Sequence, residues 1–115
     1  MPAYKHFDIT EVGDVTVVRF RNPRIAEDID DLGNELYGLV ENDRRQKLLL
    51  NLSLVEFLTA AAFGKLFALA RKVNAQGGTL KLSNTVPDVY KVFTILKFDR
   101  FFDIKEDEAD ALAAF

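Results

Sequence analysis

The stretch that decides the fold reads KLLLNLSLVEFLTAAAFGKLFALARKVNAQGG, residues 47–78. Its first part, Lys47 to Leu52, holds three leucines in succession, which is typical of a strand covered on both faces rather than of an alternating edge strand. A helical period follows from about Thr59 and ends at Gly77-Gly78, where a positive φ costs little. The stretch therefore predicts a central strand that leads into an amphipathic helix.

The predicted helix carries apolar residues at three- and four-residue spacing, as a helix packed on a core does. We expect this stripe to be buried, so that Phe67→Ala should cost about 3 to 5 kcal/mol through the cavity that it leaves. The stripe consists of Phe63, Leu66, Phe67, Ala70 and Val73.

The residues before this stretch predict a hairpin and a first helix. Phe7 and Ile9 alternate with polar residues. A β-branched run from Val15 to Phe20 comes after Gly13-Asp14, which predicts two antiparallel strands joined by a tight turn. Asn22-Pro23 interrupts any strand. Helical spacing then recurs at Ile29, Leu32, Leu36, Leu39 and Val40.

The residues after it repeat the alternation of strand and helix. Thr79 to Ser83 alternates as a half-buried strand, and Thr85 with Asp88 predicts the capped start of a third helix. The apolar stripe of that helix is Val89, Val92, Phe93 and Leu96. A short strand is predicted near Phe102, Asp103 and Ile104, and a last helix from Asp107 to Phe115, with Ala109, Leu112 and Phe115 near one face.

The predicted order of elements is ββαβαβαβα, in one α/β domain that spans residues 1–115. Alternating strands and helices imply parallel crossover connections, and the opening hairpin makes the sheet mixed. We expect four to five strands, with Lys47 to Leu52 at the centre. The helices from Ile29, Thr59 and Val89 should pack mainly on one face.

Composition narrows the function classes. Of the 115 residues, 49% are hydrophobic and 29% are charged, as in a folded globular protein. The net charge is -3, and lysine and arginine are dispersed along the chain, so nucleic acid is not expected as a partner. Arg44, Arg45 and Lys47 form the densest basic group, which we interpret as a solvated turn.

The chain has no cysteine, which excludes disulfides, thiolate metal sites and a cysteine nucleophile. A reducing cytoplasm fits this composition. The N-terminus has no apolar signal core, and no run approaches the roughly 20 apolar residues of a membrane-spanning helix. We therefore expect a cytoplasmic protein with no membrane insertion.

Groups that could support catalysis are sparse. His6 is the single histidine and is predicted on the polar face of the first strand. Acidic residues cluster at or near predicted helix starts, where carboxylates favour the positive end of the dipole. Gly77-Gly78 follows a helix instead of preceding one, unlike a phosphate-binding loop. We expect no enzyme, no metal and no cofactor.

Five stretches of the chain together resemble the STAS domain of anti-sigma factor antagonists. The stretch from Asn51 to Leu66, followed by Gly77 to Leu82, is similar to the family signature. Pro87-Asp88-Val89-Tyr90 and Phe101-Phe102-Asp103-Ile104 resemble the later helix and return strand of the family. Glu108 to Leu112 is similar to its closing acidic Ala-Leu helix. The resemblance spans essentially the whole chain.

The resemblance implies a site at the start of the second helix. In phosphorylation-switched members an Asp-Ser-Ser-Gly-like run lies there, and an anti-sigma factor kinase phosphorylates its second serine. The match places Ala61 at the acceptor position and Ala62 at the glycine, while Asn51 stands where many relatives carry aspartate. The implied regulatory and partner-binding loop is Leu58, Thr59, Ala60, Ala61 and Ala62, without a phosphorylatable residue at the acceptor position.

Two residues of this loop allow two interpretations each. Thr59 is either a helix cap whose hydroxyl accepts from Ala61 or Ala62 N–H, which we favour, or a displaced phosphoacceptor. Leu58 is either part of the core or an exposed docking residue. The same two interpretations apply to Phe57 and Phe63, for which the core is the usual outcome.

The function implied by the resemblance is that of an anti-sigma factor antagonist-like regulator. Its partner would be a GHKL-type anti-sigma factor kinase or another signalling protein. The alternative is a scaffold or accessory STAS subunit of a signalling complex or a lipid-transport machine, and an enzyme ranks third.

Overall fold

A computed structural model describes residues 4–26 and 28–115. The chain opens with a hairpin of β1 (Phe7–Val12) and β2 (Val15–Phe20), which pair antiparallel. Gly13 has a φ of 62°, in the left-handed region that a two-residue hairpin turn requires. The predicted hairpin is therefore present, with the predicted turn.

The next elements are β3 (Arg24–Ile25), α1 (Ile29–Glu41), β4 (Lys47–Asn51), β5 (Phe57–Leu58) and α2 (Ala60–Ala75). They are followed by β6 (Thr79–Ser83), α3 (Pro87–Ile95), a 3-10 helix called η1 (Phe98–Arg100), β7 (Asp103–Lys105) and α4 (Glu108–Ala113).

The described residues form a five-stranded sheet in the order β1-β2-β4-β6-β7. Strands β2, β4, β6 and β7 run parallel to one another, and β1 alone is antiparallel. Strand β4 lies at the centre, as its leucine run predicts. The mixed sheet with its α/β crossovers is confirmed. Strands β3 and β5 pair separately as a two-stranded parallel ladder. With two residues each, these strands are too short to show the alternation of polar and apolar residues from which a strand is predicted.

The hydrophobic core lies on both sides of the sheet, with a large cluster on one side and a small cluster on the other. Leu48 and Leu50 face the large cluster beneath α1, α2 and α3. Leu49 faces a small cluster on the other side, where Ala111 of α4 packs beside it. A strand covered on both faces explains why β4 has no polar alternation. At the turn before β6, a Cβ on Gly78 would lie 2.4 Å from the Gln46 carbonyl oxygen, so this position requires glycine.

Two of the predicted apolar stripes are wrong in part. Phe67 is half-buried, because it lies outside the main core cluster and stacks on the exposed Phe101 with ring centroids 4.3 Å apart. In α3, Val89 and Phe93 are buried, whereas Val92 and Leu96 are exposed. Helix α3 uses a single four-residue row for the core because the segment after it fills the space beside that row with the aromatic rings of Phe98 and Phe102.

Two predicted side-chain placements are also wrong. Val86, not Thr85, is the N-cap of α3, because Pro87 occupies the first helical position and fixes the start one residue later. His6 precedes β1 instead of lying on its polar face. Its Nε2 lies 3.2 Å from the Asp31 carboxylate of α1, so the histidine joins the hairpin to the first helix.

None of the helices in the described part of the chain is both long enough and apolar enough to cross a membrane.

Candidate functional site

The candidate site is the loop between β4 and α2, at the carboxyl edge of the parallel strands. The Leu52 N–H continues the sheet by donating to the Ser83 carbonyl at 3.0 Å. The chain then turns, because the Asn51 side-chain oxygen accepts from the Ser53 N–H at 2.8 Å. An asparagine at the strand end therefore directs the loop out of the sheet.

The β3–β5 ladder holds the far side of this loop. The Pro23 carbonyl accepts from the N–H groups of Glu56 and Phe57 at 2.8 and 3.1 Å. The Ile25 carbonyl accepts from the Thr59 N–H at 3.2 Å. The guanidinium carbon of Arg24 lies 4.5 Å from the centre of the Phe57 ring, in cation–π range. The segment before α1 thus fixes the approach to α2.

Thr59 is the N-cap of α2. Its backbone is extended, with φ -75° and ψ 164°, and its hydroxyl oxygen accepts from the Ala62 N–H at 3.1 Å. The predicted cap is confirmed, with Ala62 as the donor. A cap of this kind stabilises a helix by about 1 kcal/mol. The hydroxyl is thus engaged in holding the first turn of α2.

The structure separates the predicted loop residues by exposure. Ala60 and Ala61 are exposed at the first turn of α2, and Leu58 and Thr59 are half-buried. Ala62 is buried, so its methyl group is directed into the protein and only its neighbours reach the surface. Leu58 packs against the main core.

Two exposed apolar side chains extend the surface of the loop beyond the predicted residues. Leu54 is 59% exposed and Phe57 is 42% exposed. The sequence offered no signal for Leu54, because a leucine between two core segments is usually buried. Phe63, considered as a docking residue at the sequence level, is buried, with its ring 5.0 Å from that of Phe93.

The first turn of α2 has no acidic side chain to offset the helix dipole. The backbone N–H groups of Ala60 and Ala61 have no acceptor among the described residues. A helix N-terminus carries a partial positive charge. A cavity of about 440 Å³ adjoins the loop, lined by Glu56, Val86, Pro87 and Asp88.

Beneath the strand end, on the opposite side of the sheet, lies a polar cluster that the sequence did not reveal. Arg19 of β2 donates two hydrogen bonds to the Glu108 carboxylate, at 2.9 and 2.8 Å, and the Asn51 amide donates to the same carboxylate. The hydrogen bond from Arg19, aided by that from Asn51, holds the pKa of Glu108 below its ordinary value against the opposing effect of burial. Arg19 and Glu108 lie 89 positions apart, and no local pattern joins them.

Acidic and histidine side chains do not converge on this loop. Across residues 4–26 and 28–115, no group of three or more histidine, aspartate or glutamate side chains is arranged to hold a metal ion. The exposed surface of the loop is small and partly apolar, and the start of α2 at its centre is uncharged.

This chain matches the sequence model of a known domain family and has the same fold as several solved structures. The sequence model of the STAS domain matches residues 6–111. An anti-sigma factor antagonist from Mycobacterium paratuberculosis has the same fold, with a TM-score of 0.82 at 23% identity over 94% of this chain and 91% of that chain. An anti-sigma-factor antagonist (STAS) domain protein from Planctomyces limnophilus gives a TM-score of 0.82 at 20% identity over 94% and 95% of the two chains.

A third solved structure is similar at lower identity. The Bacillus cell fate determinant SpoIIAA in its phosphorylated form superimposes with a TM-score of 0.71 at 16% identity, over 94% of this chain and 97% of that chain. At such identities the likeness concerns the fold. Its coverage of 94% and 97% of the two chains shows that the likeness extends over nearly the whole fold.

Proposed function

This chain belongs to the STAS domain family, and from that premise we propose that it is an anti-sigma factor antagonist-like regulator that acts by binding another protein. The proposed contact surface is the β4–α2 loop together with the exposed first turn of α2. The proposed partner is a kinase-type anti-sigma factor or a related signalling protein of the cytoplasm.

The observation that carries this proposal is the exposure of small, uncharged residues at a rigid helix start. Ala60 and Ala61 are exposed beside the Thr59 cap, and Leu54 and Phe57 add apolar surface to the loop. The backbone bonds to Pro23 and Ile25 hold the loop in one conformation. A preformed surface of this kind binds at a lower entropic cost than a mobile one.

We further propose that Ala61 occupies the position where phosphorylation-switched relatives carry the acceptor serine. A phosphate there would bring about -1.5 to -2 charges to the N-terminus of a helix and would alter the contact surface. The methyl group of Ala61 cannot be phosphorylated. The hydroxyl of Thr59 is engaged by the Ala62 N–H, which makes it a poor substitute. The loop would then remain permanently in the unmodified state.

The test begins with co-purification from the source organism and identification of the bound protein by mass spectrometry. Binding of that protein to the parent and to Ala61→Asp is then measured by calorimetry. We expect a weaker complex for the variant, because the added carboxylate must be desolvated against a surface suited to a small neutral side chain. Equal affinities would show that this turn is not the interface.

Phosphorylation is tested with the same partner if it proves to be a kinase. With ATP present, the parent should remain unmodified at residues 59–62, whereas Ala61→Ser should gain a phosphate that mass spectrometry locates at position 61. A phosphate on Thr59 of the parent would contradict the cap argument. An unmodified Ala61→Ser would contradict the assignment of Ala61 to the acceptor position.

A further inference from the structure

We propose that the outer face of α3 and η1 adsorbs reversibly to anionic lipid bilayers. The face consists of an apolar patch and a basic rim. The apolar patch is Val92, Ile95, Leu96 and Phe101, and the basic rim is Arg71, Lys91, Lys97 and Arg100. This surface is separate from the β4–α2 loop, and the inference does not depend on the proposed partner.

Exposed apolar side chains are concentrated in this one segment. Eight large hydrophobic side chains are exposed among the described residues, and five of them lie between Tyr90 and Phe101. Ile95 is the most exposed of the eight, at 66%. An isolated exposed leucine needs no explanation, but a contiguous group on one surface marks an interaction site.

Unpaired positive charge is concentrated in the same place. Nine of the 15 lysine and arginine residues form ion pairs with carboxylates of residues 4–26 and 28–115. Six form none within those residues, and four of the six make up the basic rim. The segments that carry the basic rim, α2 and residues 87–100, contain two carboxylates, the exposed Asp88 and Asp99, so four cations outnumber two anions. A chain with a net charge of -3 thus presents one locally positive face.

Helical geometry places the two kinds of side chain together. Lys91 and Ile95 are four residues apart in α3 and therefore neighbours on its surface, and Val92 and Leu96 form the adjoining row. Helix α3 contacts η1, which carries Arg100. Phe101 stacks on Phe67, and Arg71 lies one turn further along α2. Apolar side chains with basic residues on either side form the pattern of an interfacial helix.

A bilayer fits this surface better than a protein groove does. Ile95 lies on the solvent side of α3, opposite the buried Val89 and Phe93 row, so the α3 part of the face is the convex outer side of a helix. A convex row of apolar tips inserts into a lipid interface without a complementary shape, while the long lysine and arginine stems reach the head groups. The eight residues of the face also fall short of the roughly 20 to 30 residues that each partner contributes to a standard protein interface. Anionic head groups supply the complementary charge.

The test is co-sedimentation of the full chain with vesicles of about 70% phosphatidylcholine and about 30% phosphatidylglycerol. We expect binding to these vesicles but not to pure phosphatidylcholine, and loss of most of the bound fraction in about 0.5 M salt. Ile95→Asp, and separately Arg100→Glu, should each lower the partition coefficient by about tenfold or more. Thermal melts show that the variants are folded.

Arg44→Glu is the matched control for Arg100→Glu. It makes the same change of charge at another exposed arginine without an ion pair in the described residues, beside the hairpin turn at the opposite edge of the sheet. It should bind vesicles like the parent. Equal losses for the two variants, or equal binding to neutral and anionic vesicles, would overturn the proposal. Absence of vesicle binding together with self-association that Ile95→Asp abolishes would assign the face to a second copy of the chain instead.

Discussion

Helices α2 and α4 have the same kind of N-cap but are attached to the rest of the protein by different kinds of contact. Each has an N-cap side chain that accepts from the N–H three residues later, Thr59 from Ala62 at 3.1 Å and Asp107 from Asp110 at 2.8 Å. After its cap, α2 has three alanines and no acid, whereas α4 has Glu108 and Asp110.

The difference teaches how each helix is attached. Helix α2 buries six side chains in the main core and has no charged group in its first turn. Helix α4 buries only Ala111 and depends on the bonds between Glu108, Arg19 and Asn51. Apolar burial fixes α2 from Ala62 onward, and Ala60 and Ala61 at the start of its first turn stay exposed. In α4 the first turn supplies the polar part of the attachment, while Ala111 and Leu112 pack on the small cluster.

The strongest test of this contrast is Phe63→Ala in α2. The Phe63 ring lies 5.0 Å from Phe93 and 5.9 Å from Phe98, and its removal should lower the free energy of unfolding by about 3 to 5 kcal/mol. Phe67→Ala, the matched control, should cost about 1 to 2 kcal/mol because Phe67 is half-buried. Urea melts measure both. Equal losses would mean that α2 is not held by its buried face.

A smaller effect is expected from Glu108→Ala in α4, which removes the acceptor for Arg19 and Asn51. We expect a loss of about 1 to 2 kcal/mol at neutral pH, at the lower end for a charged hydrogen bond because Arg19 is 40% exposed. The control is Asp110→Ala, which removes an exposed carboxylate from the same turn and should cost less. A smaller loss for Glu108→Ala than for Asp110→Ala would contradict the view that the bonds of Glu108 with Arg19 and Asn51 anchor α4.

The same anchor makes a prediction about pH. Because the folded-state pKa of Glu108 lies below its ordinary value of 4.5, its contribution is complete above pH 4.5 and is lost as the pH falls through the lowered pKa. Urea melts across this range should show the deficit of Glu108→Ala shrinking towards zero in acid. A deficit that does not change with pH would mean that the loss comes from packing and not from charge.

The smallest effect concerns stability after Ala61→Asp. The matched control is Ala109→Asp, because both alanines are exposed and occupy the second helical position. An acid at Ala61 should raise stability by about 0.3 to 1 kcal/mol, since it meets an uncompensated helix dipole. At Ala109 the same change should be nearly neutral, because two acids already occupy that turn. Thermal melts at low salt compare them, and equal shifts would show that the two helix starts do not differ electrostatically.

The parts of this fold that the sequence predicts are those governed by local patterns. The leucines from Leu48 to Leu50 predict a strand covered on both faces, and Thr59 before three alanines predicts a cap. What it does not predict depends on distant partners. Nothing near Arg19 in the chain points to Glu108. Likewise, the exposure of Val92 and Leu96 follows from the aromatic side chains of the segment after α3, which fill the space that a second helical row would need.

For the candidate site, the sequence supplies a proposed position but not the exposure of the residues that form it. Resemblance to a family placed it at the start of α2, where Ala60 and Ala61 are exposed. It did not reveal that Ala62 is buried, or that Leu54 and Phe57 lie on the surface. Those facts depend on the two-residue ladder between β3 and β5, which turns the loop outward and which has no signature of its own.

That ladder also has a consequence for local unfolding. The amide protons of Phe57 and Thr59 are protected by carbonyl groups of Pro23 and Ile25, which lie more than thirty positions earlier in the chain. These amides can exchange with solvent only when the two segments separate, so they should exchange at one common rate. A protein that binds the β4–α2 loop would slow the separation of these two segments. Deuterium uptake at this loop and in the segment before α1 would then measure the same event, the separation of β3 from β5.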